Sequence, residues 1–122
     1  MADLNELLTS FTRVRGVVAA VLVGQDGLPL QSVMAQGVDE TDVDVLGAIA
    51  ASGLVPAQEI GQQTDRGVIK QAIYEFDRGV VVIEPLGSAI LVVLTEAVAT
   101  LGLLRLQARK AHPQLQAILA DL

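Results

Sequence analysis

Three apolar runs at residues 68–76, 80–85 and 89–94 follow one another with only two short, glycine-containing breaks between them. Such short breaks between β-branched runs predict the turns of an antiparallel meander. The second and third runs do not alternate polar with apolar residues, so both faces of those strands should pack against apolar groups. This stretch therefore predicts a sheet with helices on both of its faces.

The first of these runs differs from the other two, because Lys70, Gln71 and Glu75 interrupt its apolar residues. Polar residues of this kind are typical of a strand at the edge of a sheet, where one row of backbone N–H and C=O groups has no neighbouring strand. A long edge strand needs a partner or a cover. The run at 68–76 therefore predicts that the protein interacts with another chain along this edge.

The first part of the chain predicts a helix followed by a hairpin. Apolar residues recur at helical spacing over residues 4–11, and Asp3 is placed to cap that helix. Residues 17–23 and 28–34 are extended runs joined by Asp26-Gly27, which is a strong hairpin signal. Asp26 as a metal ligand or general base is the alternative, but turns favour Asp-Gly for backbone reasons alone.

A second helix is predicted over residues 41–55, with a cluster of acids at 39–44 around its start. Acids suit the exposed amide groups at a helix N-terminus; a cation site is the alternative, but the EF-hand glycine and closing Glu are missing. Pro56 is expected to end or kink this helix, with residues 57–63 as a second piece. The helix spans about 22 Å, enough to cross the roughly 19 Å between the outer strands of a five-stranded sheet.

Small residues are frequent in this helix, at Gly47, Ala50, Ala51 and Gly53. Glycine costs a helix about 1 kcal/mol relative to alanine, so a compensating close contact is expected. Two interpretations stay open. The small residues allow either tight packing of the helix on its own sheet or contact with a second helix across a dimer axis.

The last part of the chain predicts a helix that follows Thr95 and Glu96 and runs through Ala111. His112-Pro113 then restarts the chain, and residues 113–122 form a short C-terminal helical extension. The predicted order of elements is α-β-β-α-β-β-β-α. We interpret residues 1–122 as a single α+β domain.

Composition narrows the possible partners. The 122-residue chain has a net charge of −6, so it should repel nucleic acid and anionic membranes. It has no cysteine, and no uninterrupted apolar run approaches the roughly 20 residues of a membrane span. We expect a cytoplasmic protein that binds no nucleic acid and does not insert into membranes.

Residues that carry catalysis are sparse in this chain. His112 is the only histidine, and without cysteine no nucleophile and base can be paired, so His112 is expected to be a cap or surface residue. Glu75 and Glu84 lie on neighbouring runs and form a possible carboxylate pair, although solvated strand ends are favoured. No glycine-rich phosphate loop follows a strand. We predict no catalytic, cofactor-binding or metal site.

Several motifs between residues 4 and 111 carry a family resemblance: Asp26-Gly27 in the hairpin, the Ala50-Ala51 neighbourhood, and Glu84-Pro85-Leu86 at the end of the middle strand. Together with the N-terminal helix, the acid-led helix and the meander, they resemble the roadblock/LC7 (dynein light chain) family. Pro56 and the segment after Pro113 depart from the family pattern.

The resemblance implies a profilin-like, five-stranded antiparallel sheet with the long helix on one face and the terminal helices on the other. It also implies dimers in which the strand at 68–76 pairs with its own copy and the helices at 41–55 lie side by side. Members of the family scaffold or regulate small Ras-like GTPases.

We therefore expect a non-enzymatic homodimeric adaptor that binds a small Ras-like GTPase, affects its nucleotide cycle and binds no nucleotide itself. The alternative is a small-molecule sensor with a ligand pocket between sheet and helix, which a cavity with convergent polar groups would favour. The candidate residues for the dimer or partner interface are Leu46, Ile49, Ala50, Gly53, Val68, Lys70, Ala72 and Tyr74.

Overall fold

The computed structural model describes residues 3–35, 40–96 and 101–121. Its strands form one antiparallel sheet in the order β2-β1-β5-β4-β3. This sheet and the meander β3-β4-β5 confirm the predicted α+β fold. The elements, in chain order, are α1 (Leu4–Thr12), β1 (Val17–Gly24), β2 (Pro29–Met34), α2 (Glu40–Gln63), β3 (Ala72–Phe76), β4 (Gly79–Pro85), β5 (Ala89–Thr95) and α3 (Leu101–Ala120).

Two apolar layers enclose the sheet, as the non-alternating strands predicted. The layer on one face joins the sheet to α1 and α3, and the layer on the other face joins it to α2. Strands β1, β4 and β5 are buried on both faces. The large side chains of the first layer include Leu8, Phe11, Leu22, Leu104 and Leu115, and those of the second include Val21, Val23, Val43, Leu54 and Ile83.

The β1–β2 turn shows the role of Asp26 as a turn residue. Its Oδ1 accepts a hydrogen bond from the backbone N–H of Leu28 at 3.1 Å. Gly27 has φ +87°, a left-handed conformation that favours glycine. Asp26-Gly27 therefore acts as the turn pair that the sequence predicted.

Asp3 caps α1, as predicted: its Oδ1 accepts a hydrogen bond from the backbone N–H of Glu6 at 2.8 Å. Asp3→Ala removes this acceptor and is expected to lower the free energy of unfolding by about 1 kcal/mol. Asp3→Asn keeps an acceptor and should change it much less. Urea denaturation followed by circular dichroism measures both values, and equal stability of the two variants would contradict the capping role.

Two helix ends were predicted wrongly, because both prolines lie inside continuous helices. The long helix runs from Glu40 to Gln63 through Pro56, and α3 runs through Pro113. A proline inside a helix removes one hydrogen bond and costs about 3 kcal/mol, but burial of neighbours such as Leu54 and Leu115 offsets that cost. Residues 113–120 are therefore the last turns of α3 and not a separate extension. The predicted start of this helix falls on residues 97–100, and the predicted extension ends at Leu122; both lie outside the described residues.

The predicted edge strand was too long. It was expected at 68–76, but β3 begins only at Ala72. The β3–β4 register pairs Ala72 with Ile83 and would place Lys70 opposite Pro85, which has no N–H for a further rung. Val68 and Lys70 therefore precede the strand and take no part in its ladder.

Candidate protein interface

The edge of the sheet at β3 is open along the described part of the chain. Ala72–Phe76 pairs with β4, and no other described strand lies on its outer side. Tyr74 and Phe76 are 43% and 61% exposed on this strand. Backbone groups and aromatic side chains thus meet at an edge where a further strand can pair.

The face of α2 that points away from the sheet carries large apolar residues. Their spacing of four, six and five residues keeps them on the outer half of one helix through Pro56. We call this surface the outer stripe. Its members, with the exposed fraction of each, are Val45 (54%), Ile49 (64%), Val55 (61%) and Ile60 (64%). A contiguous exposed apolar surface of this kind is typical of a protein interaction site.

The inner face of α2 shows where two of its small residues pack. A Cβ atom on Gly47 would lie 2.6 Å from Val23 Cγ2, so only glycine lets the helix approach β1 this closely. Ala50 is 6% exposed and belongs to the apolar layer under α2. The structure therefore supports packing on the protomer's own sheet for Gly47 and Ala50.

Gly53 joins the helix to the sheet edge. A Cβ atom on Gly53 would lie 3.6 Å from Tyr74 Oη, an ordinary van der Waals contact. Tyr74 stands opposite Val81 in the β3–β4 register, and Val81 belongs to the layer under α2. The edge strand and the side of α2 thus form one continuous surface.

The predicted interface residues separate into three groups. Ile49, Val68, Lys70 and Tyr74 are exposed. Leu46 and Ala72 are half-buried against the layer under α2, and Gly53 is half-buried beside Tyr74. Ala50 belongs to the protomer's core.

Four exposed apolar residues of this surface were missed by the sequence analysis: Val45, Val55, Ile60 and Phe76. Val45 and Ile60 share the helical phase of Ile49, so the signal was present. For Ile60 it was overlooked because residues 57–63 were expected to form a separate piece after Pro56, whereas Val45 and Val55 lie within the predicted helix and were simply not selected.

Helices α2 and α3, which pack on opposite faces of the sheet, carry opposite charge. The segment that forms α2 contains Glu40, Asp42, Asp44 and Glu59 and no lysine or arginine. The segment that forms α3 contains Arg105, Arg109 and Lys110 and no acid. Because the sheet separates the two helices, the outer stripe lies on the acidic side of the molecule.

Residues Asp42–Gln63 of α2 are long and apolar enough for a membrane span by length and composition alone, with a mean hydropathy of 1.3. The sequence analysis did not anticipate this. In the fold, Val43 and Leu54 pack this helix onto the sheet. Its apolar residues therefore divide between the core and the outer stripe.

The titratable side chains that the sequence analysis singled out are arranged differently from the prediction. Glu84 does not pair with Glu75, which stands opposite Val80, four residues or about 13 Å further along β4. Instead Glu84 Oε2 lies 2.8 Å from Nδ1 of His112, so His112 is neither a cap nor a free surface residue. No group of three or more His, Asp or Glu side chains that could hold a metal occurs within the described ranges.

The sequence of this chain is similar to those of known proteins. The family model described as Roadblock/LC7 domain matches residues 3–95. The uncharacterized protein MJ0310 of Methanocaldococcus jannaschii is 28% identical over 115 residues, which cover 94% of this chain and 98% of that protein.

Solved structures show the same fold. MglB with a tetrameric arrangement has a TM-score of 0.87 at 22% identity, covering 96% of this chain and 88% of that chain. A Roadblock/LC7 domain from Streptomyces avermitilis has a TM-score of 0.67 at 30% identity, covering 93% of this chain and 99% of that chain.

Proposed function

Because this chain belongs to the Roadblock/LC7 domain family, as its resemblance predicted, we propose that it is a non-enzymatic, homodimeric adaptor for a small Ras-like GTPase in the cytoplasm. We further propose that it affects the nucleotide cycle of that GTPase without binding nucleotide itself. The observation that carries this proposal is the outer stripe of α2 beside the open edge at β3.

The dimer follows from the open edge. If β3 pairs with its own copy about a twofold axis, each edge completes the hydrogen bonds of the other, and the contact is self-complementary. Such pairing brings the two α2 helices to the same side of the joined sheet, where the outer stripes meet. MglB, which shares this fold, occurs in a tetrameric arrangement, and this supports self-association as a property the fold permits.

The paired α2 helices would form the platform for the GTPase. This platform combines the part of the outer stripe that the contact between the two helices leaves exposed with acids such as Asp42 and Asp44. It should therefore suit a partner surface with apolar and basic residues, and binding should weaken as salt screens the charges. The surface of the GTPase that meets α2 is expected to carry lysine and arginine.

The proposal is tested by capture from cytosol of the source cells on immobilised wild-type protein, with the guanine nucleotide in the eluate measured after denaturation. We expect GDP or GTP in amounts comparable to a co-eluting protein, decreasing as the salt concentration rises. The Ile49→Lys variant should capture little, because it places a cation in the outer stripe. Leu103→Lys is a matched control, because Leu103 is 62% exposed but belongs to α3, on the opposite face of the sheet from the outer stripe. Eluates without guanine nucleotide, or equal capture by both variants, would contradict the proposed platform.

A further inference from the structure

A cleft of about 460 Å³ lies on the opposite side of the sheet from the outer stripe, between α3 and the strand ends of β3 and β4. Its polar lining comes from three parts of the chain: the segment before β3, the end of β4, and residues 105–112 of α3. The polar residues of the lining are Lys70, Gln71, Glu84, Arg105, Arg109 and His112.

Glu84 is the buried centre of this cleft, with 7% of its surface exposed. Both of its carboxylate oxygens have partners: Oε1 accepts a hydrogen bond from Gln71 Nε2 at 3.3 Å, and Oε2 lies 2.8 Å from His112 Nδ1. An acceptor at Nδ1 favours a proton on that nitrogen and orients the ring. The other ring nitrogen, Nε2, forms no hydrogen bond within the described part of the chain, so it is available to a ligand.

Three cations surround this centre. Lys70, Arg105 and Arg109 are exposed, and none forms an ion pair with a described residue. Arg105 and Arg109 are four residues apart on α3, which places them about one turn apart on the same face. Only Glu84 opposes them among the polar lining residues, and it is already paired.

The charge of the cleft runs against that of the whole chain. Three of the eight Lys and Arg residues line one cleft in a chain whose net charge is −6. Arginine presents a rigid fork of N–H donors that matches the paired oxygens of carboxylates and phosphates. The arrangement is therefore complementary to a small anion with several oxygen atoms.

We propose that this cleft binds a small-molecule oxyanion, a phosphate ester or a polycarboxylate. Arg105 and Arg109 contact the anion, Lys70 adds charge from the opposite wall, and the Nε2 edge of the His112 ring lies beside the anion. Glu84 is a positioning residue that acts by holding the imidazole. The volume lies within the range of about 300–1,000 Å³ typical of small-molecule sites. We assign binding of the anion to this cleft and no reaction.

This proposal goes beyond the adaptor function, because the cleft and the outer stripe lie on opposite sides of the sheet. It gives a specific place to the ligand-sensing alternative raised by the sequence. Each of the two proposals can fail without the other. Failure to capture a GTPase would not change the anion titration, and failure to bind an anion would not change the GTPase capture.

His112 supplies the test, because it is the only histidine in the chain and its ring protons give unambiguous NMR signals. The wild-type protein is titrated at constant pH with inorganic phosphate, pyrophosphate and citrate in turn, and with sodium chloride at matched ionic strength. We expect saturable shifts of the Hε1 and Hδ2 signals with at least one oxyanion and only a small, non-saturating drift with chloride. Stronger binding of pyrophosphate than of citrate would indicate a phosphate ester, and the reverse order a polycarboxylate. Oxyanion shifts no larger than those with chloride would overturn the proposal.

Paired variants locate the site. Arg105→Ala combined with Arg109→Ala should weaken binding of the tighter oxyanion by at least about tenfold, because it removes charge-assisted hydrogen bonds. Arg66→Ala combined with Arg78→Ala changes the net charge equally at two exposed residues outside the cleft, and it should leave the affinity within about twofold. Equal loss in both double variants would show a general charge effect and overturn the assignment. All four arginines are exposed, so both proteins should fold, which circular dichroism checks.

Discussion

Ile49→Lys is expected to convert the proposed dimer into monomers at micromolar concentration. Ile49 is 64% exposed at the middle of the outer stripe, so a twofold contact between α2 helices would bring both copies of the new cation close together. A like-charge, desolvated contact of this kind costs about 2 kcal/mol or more, which raises the dissociation constant at least about 30-fold. Sedimentation velocity over a concentration series measures the change directly.

The matched control for this experiment is Leu103→Lys. Leu103 has nearly the same exposed fraction as Ile49, 62% against 64%, and it lies on α3, on the opposite face of the sheet from α2. It should sediment as the wild-type protein does. A wild-type protein that is already monomeric at high micromolar concentration would remove the dimer and the platform together. A dimer that survives Ile49→Lys would move the interface away from the outer stripe.

Gly79→Ala is expected to lower the free energy of unfolding by about 2–3 kcal/mol, with a decrease in Tm of about 10 °C. Gly79 begins β4 where that strand passes the end of β5. A Cβ atom there would overlap the carbonyl oxygen of Thr95 and lie 3.2 Å from its carbonyl carbon. Both atoms belong to the backbone, so the strands must separate to accept even a methyl group. Thermal and urea denaturation provide the measurement.

Gly102→Ala is the corresponding control. A Cβ atom on Gly102 meets no described atom within 4 Å, and the residue lies in the first turn of α3. Alanine should therefore leave stability unchanged or raise it by about 0.5 kcal/mol. Gly79→Ala with wild-type stability would show that β4 and β5 are not as close as the structure places them.

Much of the fold could be predicted because burial on both faces requires apolar side chains at consecutive positions. The runs of β4 and β5 have this property, and the Asp26-Gly27 turn fixes the first hairpin by backbone preference alone. The extents of α2 and α3 could not be predicted in the same way. The local cost of Pro56 and Pro113 is visible in the sequence, but the tertiary packing that offsets it is not.

The candidate sites likewise combine residues that the sequence identifies with residues that only the tertiary structure brings together. Ile49 was named from the dimer that the family resemblance implies, whereas Ile60 was missed because residues 57–63 were expected to form a separate piece after Pro56. The contact between Glu84 and His112 joins residues 28 positions apart. It depends on α3 keeping its helical phase up to Pro113 and on the register of β4, and neither is written in the local sequence.

Because β3 is short, it bears on whether this chain would pair with its own copy or with a related chain. Five residues offer only a short ladder of backbone hydrogen bonds, and any extended strand can supply the same groups. Selectivity is then expected to reside in the side chains of α2, which are apolar along the outer stripe and carry acids but no lysine or arginine elsewhere. Exchange of α2 surface residues between two such proteins should therefore redirect which chains assemble, while the strands at the seam stay as they are.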